Sequence, residues 1–171
     1  MGHYDQAIKA FMRASDIKAE DAQLQYNLGL AYFKDELYNM AVEHFRICAQ
    51  LDPKHPYVYN NLAFIYNMHG YYPETINVCN KAKLDNPDGC FNCYRHWSFA
   101  LYKKGELAKA VKKIKKAISI DPADPDNWIV WGLILRTVGI NDSARHKFEQ
   151  ALERDPCNET AKFEIDVLDK I

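Results

Sequence analysis

Apolar and small residues return along this chain at a long fixed interval, and inside each interval at spacings of three and four. Leu28, Gly29, Tyr32, Ala41, Phe45 and Cys48 are followed by Leu62, Ala63, Tyr66, Thr75, Cys79 and Ala82. The same order runs through Trp97, Ser98, Leu101, Ala110, Ile114 and Ala117, then through Trp131, Gly132, Leu135, Ala144, Phe148 and Ala151. Spacings of three and four place such residues on one face of a helix, and the breaks at Gly70, Gly105 and Gly139 divide each interval into two helices. Pro53, Pro87, Pro122 and Pro156, each preceded by Asp or Asn, stand 34, 35 and 34 residues apart. The pattern predicts repeated helix hairpins. Asp124 before Pro125 reads as an N-cap and first helical residue, and Asn141 is placed to cap the second helix of its hairpin. Small residues on the first helix (Gly29, Ala63, Ser98, Gly132) and on the second (Ala41, Thr75, Ala110, Ala144) let the two axes approach closely.

These residues resemble the tetratricopeptide repeat. Its W-x2-L-G-x2-Y…A-x3-F…P signature is best matched by Trp128, Trp131, Gly132, Leu135, Ala144, Phe148 and Pro156, while Gln25, Glu36, Cys79 and Ser98 depart from consensus. The resemblance covers nearly the whole chain and implies an all-α fold, a right-handed α-solenoid of stacked helix-turn-helix units. Full units are expected at 22–55, 56–89, 91–124 and 125–158. Residues 1–21 resemble the second helix of an incomplete unit, since Ala7 precedes Ala41 by 34 positions; the expectation is that the chain is an excerpt of a longer protein or that a partner covers Ala7 and Phe11. Residues 159–171 carry Ala161, Ile165 and Leu168 on one stripe, with Lys162, Asp166 and Asp169 where a further repeat would want core residues, and are expected to form a capping helix.

In such a solenoid the first helices line a concave surface, and helical geometry turns fixed offsets inward. In the first full unit these are Gln23, Tyr26, Asn27, Leu30, Phe33 and Lys34; in the second, Tyr57, Asn60, Asn61, Phe64, Asn67 and Met68. The third offers Asn92, Arg95, His96, Phe99, Tyr102 and Lys103, and the fourth Asp126, Ile129, Val130, Leu133, Arg136 and Thr137. An aromatic trough with amide and basic groups suits a peptide or amphipathic helix. The expected partner-binding set is Tyr26, Asn27, Leu30, Phe33, Lys34, Tyr57, Asn61, Phe64, Met68, Arg95, His96, Phe99, Tyr102, Ile129 and Arg136. The competing reading has Leu30, Phe64, Phe99 and Leu133 packed against neighbouring helices. Asn27 and Asn61 resemble the start of a backbone-clamping asparagine ladder, interrupted by His96 and Val130, against the alternative that each bonds locally. The family's two-carboxylate clamp for chaperone C-termini is missing: Tyr26, Leu30, Asn92 and His96 occupy its places and only Asn61 remains, so that partner is disfavoured.

Composition narrows the alternatives. The 171 residues are 48% apolar and 26% charged, with 7 Gly and 7 Pro, which argues against disorder and against a loop-rich β protein. A net charge of −1 supplies no global field for nucleic acid. The longest uncharged apolar run, Trp128 to Leu135, is far short of the roughly 20 residues that a membrane crossing requires. The first residues lack a basic segment followed by an apolar one, and Gln6 does not suit a myristoylation signal, so a cytoplasmic location is expected.

Five cysteines without a secretory signal are expected to be thiols. Cys90, Cys93 and His96 have metal-like spacing but no evident fourth ligand, with Cys79 at a core offset and Cys157 two repeats away; zinc, a redox pair and incidental thiols stay open, the last being expected. Lys103, Lys104, Lys109, Lys112, Lys113, Lys115 and Lys116 surround a helix striped with Leu107, Ala110, Val111, Ile114 and Ala117. A solvated convex face is expected there, with an acidic partner or lipid headgroup as the alternative. Ser15, Ser98, Ser119 and Ser143 sit in no nucleophile elbow, His44, His69 and His146 are scattered, and no Gly-rich phosphate loop exists. No enzyme activity, cofactor or metal is expected. The sequence points to a scaffold or adaptor for a protein or peptide segment with apolar anchors. The alternative is self-assembly through the terminal helices, motivated by Phe11 and by a second stripe of Phe163, Val167 and Ile171.

Overall fold

The computed structural model describes residues 3–18, 20–85 and 93–170, which form ten helices and no strand. They fall into two compact bodies, Met1–Cys93 and Tyr94–Ile171. The first holds α1 (His3–Ile17), α2 (Ala22–Lys34), α3 (Tyr38–Leu51), α4 (Val58–Met68) and α5 (Tyr72–Asp85). The second holds α6 (Cys93–Lys103, whose first residue closes the first body), α7 (Leu107–Ile120), α8 (Pro125–Thr137), α9 (Asn141–Arg154) and α10 (Glu159–Leu168). Among the described residues no helix is long and apolar enough to cross a membrane.

Each hairpin turns in the same way. The first helix of a pair ends with a residue at positive φ: Glu36 at 62°, Gly70 at 76°, Gly105 at 77° and Gly139 at 77°. The following amide then reaches back to a carbonyl in the last helical turn, Leu37 N to Tyr32 O at 2.9 Å and Tyr71 N to Tyr66 O at 2.8 Å, with Glu106 N to Leu101 O at 2.9 Å and Ile140 N to Leu135 O at 3.1 Å. This left-handed cap satisfies carbonyls that the helix leaves open and reverses the chain within three residues. Glycine adopts that conformation without a Cβ penalty; Glu36 does not. Asp21, Asp124 and Asn158 cap the N-termini of α2, α8 and α10 through side-chain oxygens, accepting from Leu24, Asp126 and Ala161 amides at 3.0 Å each.

Within a hairpin, close approach is set by pairs of residues. A Cβ on Gly29 would lie 2.6 Å from Cδ1 and Cε1 of Phe45, and one on Gly132 would overlap the ring of Phe148. Both phenylalanines are fully buried. Where the first helix carries Ala63 or Ser98 instead, the second carries the smaller Cys79 or Ile114 at the Phe offset, so the volume is shared out differently at each hairpin. The hydroxyl of buried Ser98 donates to Ala110 O at 2.9 Å, and the thiol of Cys79 donates to Cys93 O at 3.3 Å. Both of these buried groups are thus satisfied by backbone carbonyls. In the second body the core of Trp128, Ile129, Ala144, Phe148, Ala151, Ala161 and Leu168 runs from α8 through α9 to α10.

Candidate functional site

In the first body the predicted inward residues of α2 and α4 meet on one face. Phe33 lies edge-on to Phe64, centroids 5.8 Å apart, and edge-on to Tyr38 at 5.8 Å. Further along, Asn61 Nδ2 donates to Tyr26 Oη at 3.1 Å, and the Tyr26 ring lies 4.3 Å from His55 and 5.6 Å from Phe45. Burial raises the Tyr26 pKa, partly opposed by the Asn61 hydrogen bond, and burial lowers that of His55. Asn27 accepts from Gln23 Nε2 at 3.0 Å. Both amides of the short asparagine series therefore have a partner within the body.

Leu30 and Phe33 are half-buried and Lys34 is exposed. Among the predicted residues of this body, the exposed large apolar side chains stand on α4 and its N-cap: Tyr57 is 61% exposed, Phe64 39% and Met68 48%. With half-buried Asn61 between them, these positions recur every three or four residues and make one continuous row.

The second body arranges its predicted residues differently. Arg95 pairs with Asp126 and lies 3.5 Å from Asp124; Arg136 pairs with Glu164 of α10 at 2.7 Å, and Glu164 is buried. The two arginines tie first helices to their neighbours rather than standing apart from them. Asp124 has a raised pKa, mainly from burial, with Arg95 pulling the other way. Phe99 and Tyr102 are half-buried, their rings 6.1 Å apart, and the Lys103 ammonium sits over both, 5.3 Å and 5.4 Å from the centroids. The Thr137 hydroxyl, which donates to Leu133 O at 2.9 Å, lies 3.4 Å from Tyr102 Oη. Ile129, Val130 and His96 are buried. Burial holds the His96 pKa down at about 3, with the Arg95 charge adding to the effect.

Family comparisons agree with the fold. A model described as TPR repeat matches residues 1–35, and one described as tetratricopeptide repeat matches residues 22–55. The fold is the tetratricopeptide-repeat solenoid. MamA, a solved structure, superposes with a TM-score of 0.78 at 25% identity, covering 91% of this chain and 90% of its own. A thermophilic TPR protein from Thermus thermophilus has a TM-score of 0.77 at 22% identity, covering 99% and 92%, and its likeness is one of fold. A curated relative, the human protein O-mannosyl-transferase TMTC1, is 26% identical over 160 residues. That match takes in 91% of this chain and 18% of the human protein.

In this tetratricopeptide solenoid, family signature positions do more than fill the core. Trp97 and Trp131 occupy equivalent offsets one repeat apart, and Lys113 and Lys147, also equivalent, lie over their faces at 3.1 Å and 4.4 Å from the centroids. Lys115 adds a second cation over Trp131 at 5.7 Å. Trp128 donates its indole N–H to Pro122 O at 2.9 Å and carries Arg154 over its ring at 4.5 Å. Three members of the basic stretch, Lys103, Lys113 and Lys115, are thus placed on aromatic faces, whereas Lys112 and Lys116 are exposed. The signal was present in sequence as Trp and Lys arriving together sixteen residues apart in two successive repeats. Among the described residues no group of three or more His, Cys, Asp or Glu is placed to hold a metal ion. Cys90, Asn92 and Ile171, which entered the sequence expectations, lie outside the described residues.

Proposed function

We propose that the chain is a non-enzymatic interaction scaffold that holds a peptide or helical segment of a partner protein on the face shared by α2 and α4. The observation that carries this reading is the row of Tyr57, Phe64 and Met68, each 39% or more exposed, with Phe33 edge-on behind it. An exposed apolar row flanked by Asn27, Asn61 and Lys34 offers anchors together with polar groups that set register. Phe99, Tyr102, Arg95 and Arg136 would supply a second contact face in the other body. The repeat boundaries that go with this reading are 22–55, 56–89, 91–124 and 125–158.

The test is peptide selection on the intact chain, followed by affinity measurement on Phe64→Ala. Truncating an anchor costs roughly 2 kcal/mol, about thirtyfold in Kd. Selected peptides that bind the variant as tightly as the parent, with the melting curve unchanged, refute this face as the site. Self-association is a second reading, favoured by Phe163, 63% exposed on α10, and Met12, 49% exposed on α1. Sedimentation over a range of concentrations decides it, since a monomer throughout rejects it.

A further inference from the structure

The two bodies treat one groove differently. In the first body a cavity of about 300 Å³ opens between α3 and α5, with α4 as its floor. Tyr59 and Leu62, both buried, form that floor. The Tyr59 hydroxyl donates to Asp85 at 2.7 Å, so the floor's one polar group is already satisfied. Val78 and Tyr66 form the sides, and Arg46, Lys81 and Glu74 stand exposed at the rim.

The equivalent groove two repeats later, between α7 and α9 over α8, is filled by the chain itself. Trp131 stands where the first body has Leu62, Lys115 where it has Arg46, and Lys147 where it has Val78. There the indole lies beneath two ammonium groups, 4.4 Å and 5.7 Å from its centroid. The first body therefore keeps the surrounding frame and one of the two cations, but has an isobutyl group in place of the indole. What the fold places in this groove when it fills it is an aromatic ring under a cation.

We propose that the groove over Leu62 is a socket for one aromatic side chain, carried beside an acidic residue on a segment of a partner protein, with Arg46 lying over the inserted ring. Its volume falls at the lower end of the roughly 300–1,000 Å³ of ligand pockets, which suits a single ring rather than a folded element. The apolar floor removes the ring from water, and the guanidinium supplies the cation–π contact that Lys115 makes in the second body. Two cations against one carboxylate at the rim favour an acidic neighbour on the incoming segment. This socket lies between second helices and is independent of the α2–α4 face proposed above.

The test uses the full chain, isotope-labelled, titrated with N-acetyl-tryptophan and followed by amide resonances. Saturable shifts confined to Leu62, Val78 and their neighbours are expected, with weaker binding of the uncharged N-acetyl-tryptophanamide. The double variant Leu62→Trp, Val78→Lys builds the second body's own filling into the socket and should bind the probe roughly tenfold more weakly or not at all. Arg46→Ser, an exposed change that leaves the core untouched, should weaken binding roughly threefold and decides the matter if the double variant does not fold. Shifts that never saturate, equal affinity for the amide, or unchanged affinity in Arg46→Ser or in a folded double variant would overturn the proposal.

Discussion

Replacing Gly29 by Ala tests how the first hairpin is held at close range. The added methyl would stand 2.6 Å from two ring carbons of Phe45 and 3.1 Å from a third, where carbon atoms ordinarily rest about 3.5–4.0 Å apart. One element must yield by roughly an ångström. The Phe45 ring is fully buried, with Tyr26 packed against it at 5.6 Å, so it has no open space to move into. Overpacking of this kind costs about 1–3 kcal/mol, while alanine's better helix propensity returns about 1 kcal/mol. The net expectation is a loss of up to about 2 kcal/mol. Ser98 with Ile114 shows that a bulkier first helix is accommodated when the opposing ring is absent. Phe45→Ile should therefore offset much of the added methyl's cost, and a double-mutant cycle by urea denaturation should return a coupling of about 1 kcal/mol or more. Additive single effects would refute the packing argument, as would a Gly29→Ala variant more stable than the parent.

Other outcomes follow from particular residues. Glu36 is a non-glycine residue at φ 62° where the later hairpins have glycine, so Glu36→Gly should stabilise the first body by about 1 kcal/mol in denaturant melts, and a loss would contradict the strain. His96 is held neutral, its pKa lowered to about 3 from the ordinary 6.5. The unfolded chain then binds the extra proton first, so stability falls as pH drops below about 6.5, continuing toward the folded-state value, by up to about 1.4 kcal/mol per pH unit. His96→Asn should flatten that acid limb when unfolding is followed by tryptophan fluorescence, which reports the second body because Trp97, Trp128 and Trp131 all lie there. An unchanged limb rejects burial of the neutral ring. Arg136→Ala would leave the Glu164 carboxylate buried without its cation and should cost about 2–4 kcal/mol; Arg136→Met with Glu164→Met should recover most of it, and equal losses in both variants would show that the pair itself contributes the stability.

The helices and their order were legible in the sequence because their causes are local. A three-and-four spacing fixes the buried face, Gly70, Gly105 and Gly139 supply the left-handed turns, and Asp124 with Pro125 starts α8, each within a few residues of chain. The same reasoning anticipated the small positions at Gly29 and Gly132, because a repeat multiplies a weak signal. Contacts between elements depend on lengths and rotamers that no spacing records. Arg95 and Arg136 shared the inward offsets with Phe64, yet only the assembled body shows them reaching carboxylates on the next helices. Lys113 and Lys147 each follow a tryptophan by sixteen residues, but that spacing alone does not fix where the ammonium sits; a flexible stem can bend over an indole or into water, and only the packed helices decide which. The groove over Leu62 is likewise invisible in one dimension, since an empty volume is set by what three helices leave unfilled and not by any residue's own preference.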